Sequence, residues 1–178
     1  MIWKKALVLA RYLEKNHRKI ELLKPDQRVI ELGAGCGLLG IALAMLGCEV
    51  TLTDMKEMLE LLAVNVNGNT LEAQHRPRVA ELDWTEEDLS RFKPPFEFIV
   101  GTDVVFLESL VAPLIATLLA LSDRRSQIFI CVEQRNESAH ELFLEKAKEH
   151  FTVKKIPTSK LDPEFQSGFT ILLSLKRK

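Results

Sequence analysis

The chain has 178 residues, 47% of them hydrophobic, with 24 basic and 25 acidic side chains and a formal net charge of −1. That length suits a single domain over 1–178 with a sizeable core, and the balance of charge gives no electrostatic case for a nucleic-acid partner. The cysteines (Cys36, Cys48, Cys131) are odd in number and follow no metal spacing, and no apolar run reaches membrane-spanning length; a reduced, cytoplasmic or also nuclear, non-membrane, metal-free monomer is the expectation.

Apolar positions Trp3, Leu7, Ala10 and Leu13 predict one face of a helix over about 3–16, and no cleavage-site pattern marks it as a signal peptide. A buried strand is expected at 28–32 and a helix at 37–47. A second strand follows at 49–53 and a helix at 55–66, then a short third strand at 77–82. The fourth strand, 97–102, comes after the Pro94-Pro95 break, with a helix over about 108–121 behind it. The run 126–132 reads as the fifth strand and 137–150 as a helix. Two strands, 151–156 and 169–175, close the chain without a helix between them. Alternation of this kind predicts an α/β, Rossmann-like, doubly wound sheet of seven strands, mostly parallel with an antiparallel edge hairpin. Ligands of such sheets sit beyond the carboxyl ends of the strands.

The residues just after those strands carry the chemistry. Residues 28–40 read RVIELGAGCGLLG, a strand, a glycine turn and a helix. Gly33, Ala34 and Gly35 leave the turn with almost no side chain, so that backbone can approach a nucleotide closely. A phosphate-binding turn aims N–H groups at an anion. Glu31 next to the turn opposes a pyrophosphate and suits a ligand with positive charge, such as S-adenosylmethionine. The register GCGLLG (35–40) also matches the dinucleotide pattern, so a nicotinamide-dependent oxidoreductase stays open on this stretch. Asp54 after the second strand can accept from ribose hydroxyls or cap the next helix. Trp84 can wall an adenine pocket or fill the core. Thr102 and Asp103 end the fourth strand, where an acid after an apolar run suggests function, with a helix cap as the alternative. Phe106 lies one helical turn on. Glu133, Gln134 and Arg135 follow the fifth strand as substrate contacts or solvated loop. The histidines form no metal or nucleophile set.

Together, ELGAGCG, Asp54, Trp84 and the D-x-x-F of Asp103 to Phe106 resemble the seven-strand S-adenosylmethionine-dependent methyltransferases, and more narrowly family 16, the protein-lysine methyltransferases. The opening WKKALVLARYLE resembles that family's first helix. CVEQR (131–135) and KIPTSKLDPEFQSG (155–168) resemble the branch that methylates valosin-containing protein, with the Hsp70 lysine methyltransferase a near relative. The resemblance implies strand order 3-2-1-4-5-7-6, S-adenosylmethionine as cofactor and S-adenosylhomocysteine as product. It implies a protein substrate such as valosin-containing protein or an Hsp70-type chaperone. It places cofactor contacts at Trp3, Gly33, Ala34, Gly35, Asp54, Trp84 and Thr102, and the catalytic pair at Asp103 and Phe106. Family members carry a β-rich segment before the Trp and an Asp or Pro after it. Here the Trp is residue three and Lys4 follows, so a domain without that segment is expected, with an inactive cofactor-binding partner protein as the alternative function.

Overall fold

The computed structural model describes residues 4–22, 27–133, 136–165 and 167–178. Seven strands form one sheet: β1 (Arg28–Leu32), β2 (Glu49–Asp54), β3 (Arg78–Glu81), β4 (Phe98–Thr102), β5 (Gln127–Glu133), β6 (Phe151–Lys155) and β7 (Thr170–Arg177). Their order is β3-β2-β1-β4-β5-β7-β6, the order expected. The first five run parallel, and β7 is antiparallel to both β5 and β6. β1 pairs with β2 on one side and β4 on the other, so the sheet reverses its winding there and opens a crevice beyond Leu32.

Among the described residues, five α-helices cover the two faces: α1 (Lys4–Asn16), α2 (Leu38–Met45), α3 (Leu59–Asn69), α4 (Val111–Leu121) and α5 (Glu137–His150). Alternate residues of each strand supply two cores. Val29, Val50, Leu52, Phe98 and Phe129 meet Leu9, Leu13, Leu39, Leu43 and Leu62 from α1, α2 and α3. Ile30, Leu32, Ile99, Ile128 and Leu173 meet Leu114, Leu118, Phe143 and Ala147 from α4 and α5. Central strands buried on both faces read as the continuous apolar runs seen in the sequence. Asn136 caps α5, its side-chain oxygen accepting from the Ala139 N–H at 3.1 Å, and Lys148 and His150 complement the far end of the dipole. No helix among the described residues is long and apolar enough to cross a membrane.

Four expectations need correction. Helix α3 begins at Leu59 and not at 55, after a 3-10 turn over Lys56–Met58; α4 begins at Val111, after a similar turn over Glu108–Leu110. Asp54 is the last residue of β2, not the residue after it. The buried face of α1 is centred on Lys5, Val8, Leu9, Tyr12 and Leu13, with Leu7 only half-buried, because the helix wedges between α2 and β5 and buries a wider arc than one stripe. Trp3, the first residue of that expected stripe, lies outside the described residues.

The start of α2 is packed against β2 at van der Waals limits. A Cβ on Gly40 would stand 2.5 Å from Leu52 Cδ2 and 2.6 Å from Glu31 Oε2. Gly40→Ala is therefore expected to lower unfolding stability by about 2 kcal/mol, read as a lower denaturant midpoint with unchanged slope, despite alanine's better helix propensity. An unchanged midpoint would show that the turn yields freely.

Candidate active site

Beyond the carboxyl ends of β1 to β5 lies a cavity of about 730 Å³, a size suited to a small-molecule cofactor. Gly33, Ala34, Gly35 and Cys36 form its floor. Asp54, Met55, Leu82, Asp83 and Trp84 line one end; Thr102, Asp103, Val104, Phe106 and Glu133 line the other. Each group follows from the sheet, since parallel strands in register deliver their final residues to one edge.

The glycine turn is braced from β2 and α3. Asp54 Oδ2 accepts from the Gly35 N–H at 2.7 Å and Oδ1 from the Met55 N–H at 2.7 Å. The Ala34 N–H donates to the Thr53 carbonyl at 2.9 Å, and Asn65 Nδ2 donates to the Cys36 carbonyl at 2.9 Å. Gly35 has φ +57 and nothing within 4 Å of where a Cβ would be, so the turn presents bare backbone to the cavity. Asp54 is thus no cap for α3. It anchors the turn, and a carboxylate has further lone pairs for a ribose-type diol.

Glu31 is the main correction. It does not line the cavity. At 1% exposure it sits under the turn, where Oε2 accepts from the Gly40 N–H at 2.8 Å. The residue before α2 is Gly37, which has no side chain to cap the helix, so a carboxyl from the neighbouring strand takes one of the orphan N–H groups. Burial pushes the Glu31 carboxyl from its ordinary value near 4.5 up to about 8; the Gly40 N–H opposes the rise and the Asp54 charge adds to it. Enclosed under the turn with its carboxyl raised, Glu31 is not placed to act as a charge on a ligand in the cavity, so the expected opposition to a pyrophosphate does not come from it.

Trp84 answers to both readings: it packs against the α4-side core and also lines the cavity, where its ring closes on Gly33, whose Cβ position is 3.7 Å from Cζ2. Asp83 beside it is bound into its own turn by the Thr85 N–H and hydroxyl, which hold its carboxyl below the usual range.

At the other end Thr102 completes β4, and Asp103 takes a left-handed conformation, φ +56, uncommon outside glycine and asparagine-like residues. Its N–H donates to the Cys131 carbonyl at 2.8 Å and its Oδ1 accepts from the Glu133 N–H at 3.1 Å. It caps neither of the helical turns that follow, and backbone strain of this kind gathers at functional sites. Phe106 is half-exposed on the rim, its carbonyl accepting from Asn136 Nδ2 at 3.2 Å. Val104, Val105 and Leu110 make the wall behind it apolar.

Sequence reasoning left several residues in and behind the site unassigned. Cys36 and Asn136 line the cavity, and Lys5, 4% exposed, pairs with Glu133. Gln134 and Arg135 lie outside the described residues.

The order of strands and the crevice at β1 and β4 define the class: this is the fold of S-adenosylmethionine-dependent methyltransferases. The glycopeptide N-methyltransferase MtfA bound to S-adenosylmethionine superposes with a TM-score of 0.72 over 96% of this chain and 94% of that one, at 13% identity. A TehB-like methyltransferase of Corynebacterium glutamicum gives 0.69 over 100% and 89%, at 15% identity. Similarity in sequence is narrower. The family described as lysine methyltransferase matches residues 1–150. The protein N-lysine methyltransferase METTL21A of Xenopus tropicalis is 38% identical over 157 residues, 88% of this chain and 70% of that protein. METTL21E of Bos taurus is 33% identical over 160 residues, and the EEF1A lysine methyltransferase 3 of Xenopus tropicalis 35% over 136. The match spans 54% and 58% of those two. The chain belongs to the lysine methyltransferase family, with S-adenosylmethionine as its cofactor, and the oxidoreductase reading falls away.

Glu31 generates a prediction with a definite sign. Its folded-state value, about 8, lies above the unfolded value near 4.5, so between the two the folded protein holds a proton that the unfolded chain releases. The stability this contributes is complete below about pH 4.5 and drains away as pH rises towards 8. Glu31→Gln keeps a neutral acceptor for Gly40 and should flatten that slope, measured as the urea midpoint across this pH window. Parallel wild-type and variant curves would refute the neutral buried carboxyl.

Proposed function

We propose that this chain methylates a lysine side chain of an ATPase chaperone, valosin-containing protein or an Hsp70-type chaperone, acting as a monomer in the cytoplasm and nucleus. The observation that carries the chemistry is one cavity that has a bare glycine floor at one point and a braced carboxylate, Asp103, beside an apolar rim at another. The chaperone reading is supported by the resemblance of 131–135 and 155–168 to that branch. Free thiols at Cys36, Cys48 and Cys131 suit a reducing compartment.

The residues present fit the cofactor. Backbone at 33–35 gives close approach without a Cβ in the way, Asp54 offers acceptors, and Trp84 supplies a flat apolar wall. When bound, S-adenosylmethionine supplies an electrophilic methyl group. What remains for the protein is to bring a neutral amine to it in line. Free lysine has a pKa of about 10.4 and enters as an ammonium. The wall of Val104, Val105 and Leu110 withdraws water from it, which favours the neutral amine. Asp103, its Oδ1 braced by the Glu133 N–H, accepts from the amine N–H and orients the lone pair. The Phe106 ring at the mouth faces the methylated ammonium. Alignment supplies the greater part of the rate.

The test is a radiolabelled methylation of cell lysate followed by mass spectrometry of the labelled protein. A chaperone lysine is expected; a labelled elongation factor, the target in the name of one relative, would overturn the acceptor reading while keeping the chemistry. Asp103→Asn tolerates the left-handed backbone yet removes the charge. It should cut methyl transfer about a hundredfold and leave S-adenosylhomocysteine affinity within about threefold. Full transfer by that variant would sink the role given to Asp103. Asp54→Ala should instead weaken S-adenosylhomocysteine about tenfold or more, by calorimetry, because the turn loses its brace and the cavity an acceptor.

A further inference from the structure

Lys5 is the anomaly of this site. Lysine is almost never fully buried unless paired, yet its side chain is 5% exposed in the first helix, with Nζ 2.8 Å from Glu133 Oε2. Glu133 is at the end of β5, lines the cavity, and through its N–H fixes the Asp103 carboxylate. α1 thereby reaches across β4 and β5 to place a cation behind the wall of the transfer end. Among the described residues, the groups that meet there are Lys5 on α1, Glu133 and Cys131 on β5, and Asp103 after β4. The Cys131 thiol, pushed up to about 12 first by burial, registers the Asp103 charge in one direction and the Lys5 charge in the other, so both fields reach one point.

We propose that Lys5 and Glu133 form a charge-setting pair for this end of the cavity: the Glu133 carboxylate attracts cationic ligand groups, and Lys5 holds that carboxylate in place and limits the attraction. The physical need is specific to methyl transfer to an amine. The site must admit one sulfonium but must not hold the incoming lysine as its unreactive ammonium, and it must release a product whose sulfur is neutral. A carboxylate with no ammonium behind it favours both cations: it would admit the sulfonium and let the neutral product go, but it would also hold the lysine as its ammonium. A carboxylate backed by a buried ammonium acts more as a dipole, whose field falls off faster. Lys5 touches no ligand in this scheme; it is a positioning residue that acts through Glu133. The inference rests on the cavity being the cofactor site.

A test that needs no acceptor protein follows, because the two forms of the cofactor differ by one charge at sulfur. Calorimetric affinities of S-adenosylmethionine and S-adenosylhomocysteine are compared for the wild-type chain and for Lys5→Met, Lys5→Arg, Glu133→Gln and the double variant. Lys5→Met should move the affinity ratio towards S-adenosylmethionine by about threefold to tenfold, and Glu133→Gln should move it as far towards S-adenosylhomocysteine. Lys5→Arg, with the charge kept, should stay within about twofold of wild type, and the double variant should return near it. A purely structural salt bridge would change both affinities together and leave the ratio still. Should Lys5→Met not fold, Glu133→Gln and Lys5→Arg make the same comparison. Two bound ligands with an unmoved ratio, or shifts of the same sign in Lys5→Met and Glu133→Gln, would overturn the pair's role alone. Failure of wild type to bind either ligand would overturn the cofactor reading and this proposal with it.

Discussion

The hydrogen bond from the Gly35 N–H to Asp54 Oδ2, 2.7 Å long, is the contact on which the rest of the site depends. A turn with left-handed glycines at 33, 35 and 37 is the least constrained stretch an unfolded chain can have, and ordering it is costly. The register of the sheet removes the freedom. Leu32 pairs with Thr53, so Asp54 stands one residue beyond the end of β1, level with the turn it braces. The Thr53 carbonyl takes the Ala34 N–H from the same side. The acid proposed to face a ribose diol is therefore the acid that makes the glycine turn a fixed surface, and its place level with the turn depends on the parallel pairing of β1 with β2.

Charge is distributed unequally along this edge. Under the turn the carboxyl of Glu31 is fully enclosed and accepts from the neutral Gly40 N–H, so enclosure favours the protonated form. At the transfer end the carboxyl of Glu133 is enclosed beside an ammonium. Burial of an ion is tolerable only with such a partner and good geometry. One acid thus acts as a structural hydrogen-bonding group and another as an electrostatic one, although both are glutamates at strand positions facing the same layer of helices.

Most of the architecture was legible because buried parallel strands are short apolar runs, and the turns around them carry Gly, Pro or Asp. The residues 28–32 and 126–132 are of this kind, and the strands lie within a residue of those bounds. Starts of α3 and α4 were not legible, since a 3-10 turn and the first turn of a helix draw on the same residues. Glu31 was misplaced for a reason visible afterwards: with period two, Val29 and Glu31 share the face that α2 covers, while Ile30 and Leu32 share the other. Knowing that face required knowing which helix lies on it. Lys5 was missed because a Lys-Lys pair at a helix start reads as solvated. Yet Lys5, Val8, Leu9 and Tyr12 follow the i, i+3, i+4, i+7 spacing of a buried stripe, and a cation within such a stripe implies an acid from elsewhere in the fold.

The division of the cavity also indicates where discrimination among acceptors resides. The floor and the Asp54 end are tied by backbone hydrogen bonds to β2 and α3, and such ties are the same whatever protein presents its lysine. The segment from Asp103 to Leu110 is held differently. It leaves β4 through a left-handed residue, turns outward with Phe106 and Leu107 half-exposed, and is pinned at the Phe106 carbonyl by Asn136 at the head of α5. Ser138 of that helix donates to Glu108 at 2.6 Å, a second tie to the same helix. Exposed apolar side chains on a segment fixed by polar contacts behind it are what a protein surface needs to dock repeatedly in one orientation. On the proposed reading, acceptor choice would follow from the packing of 103–110 on α5, and the chemistry from the strand ends beneath it.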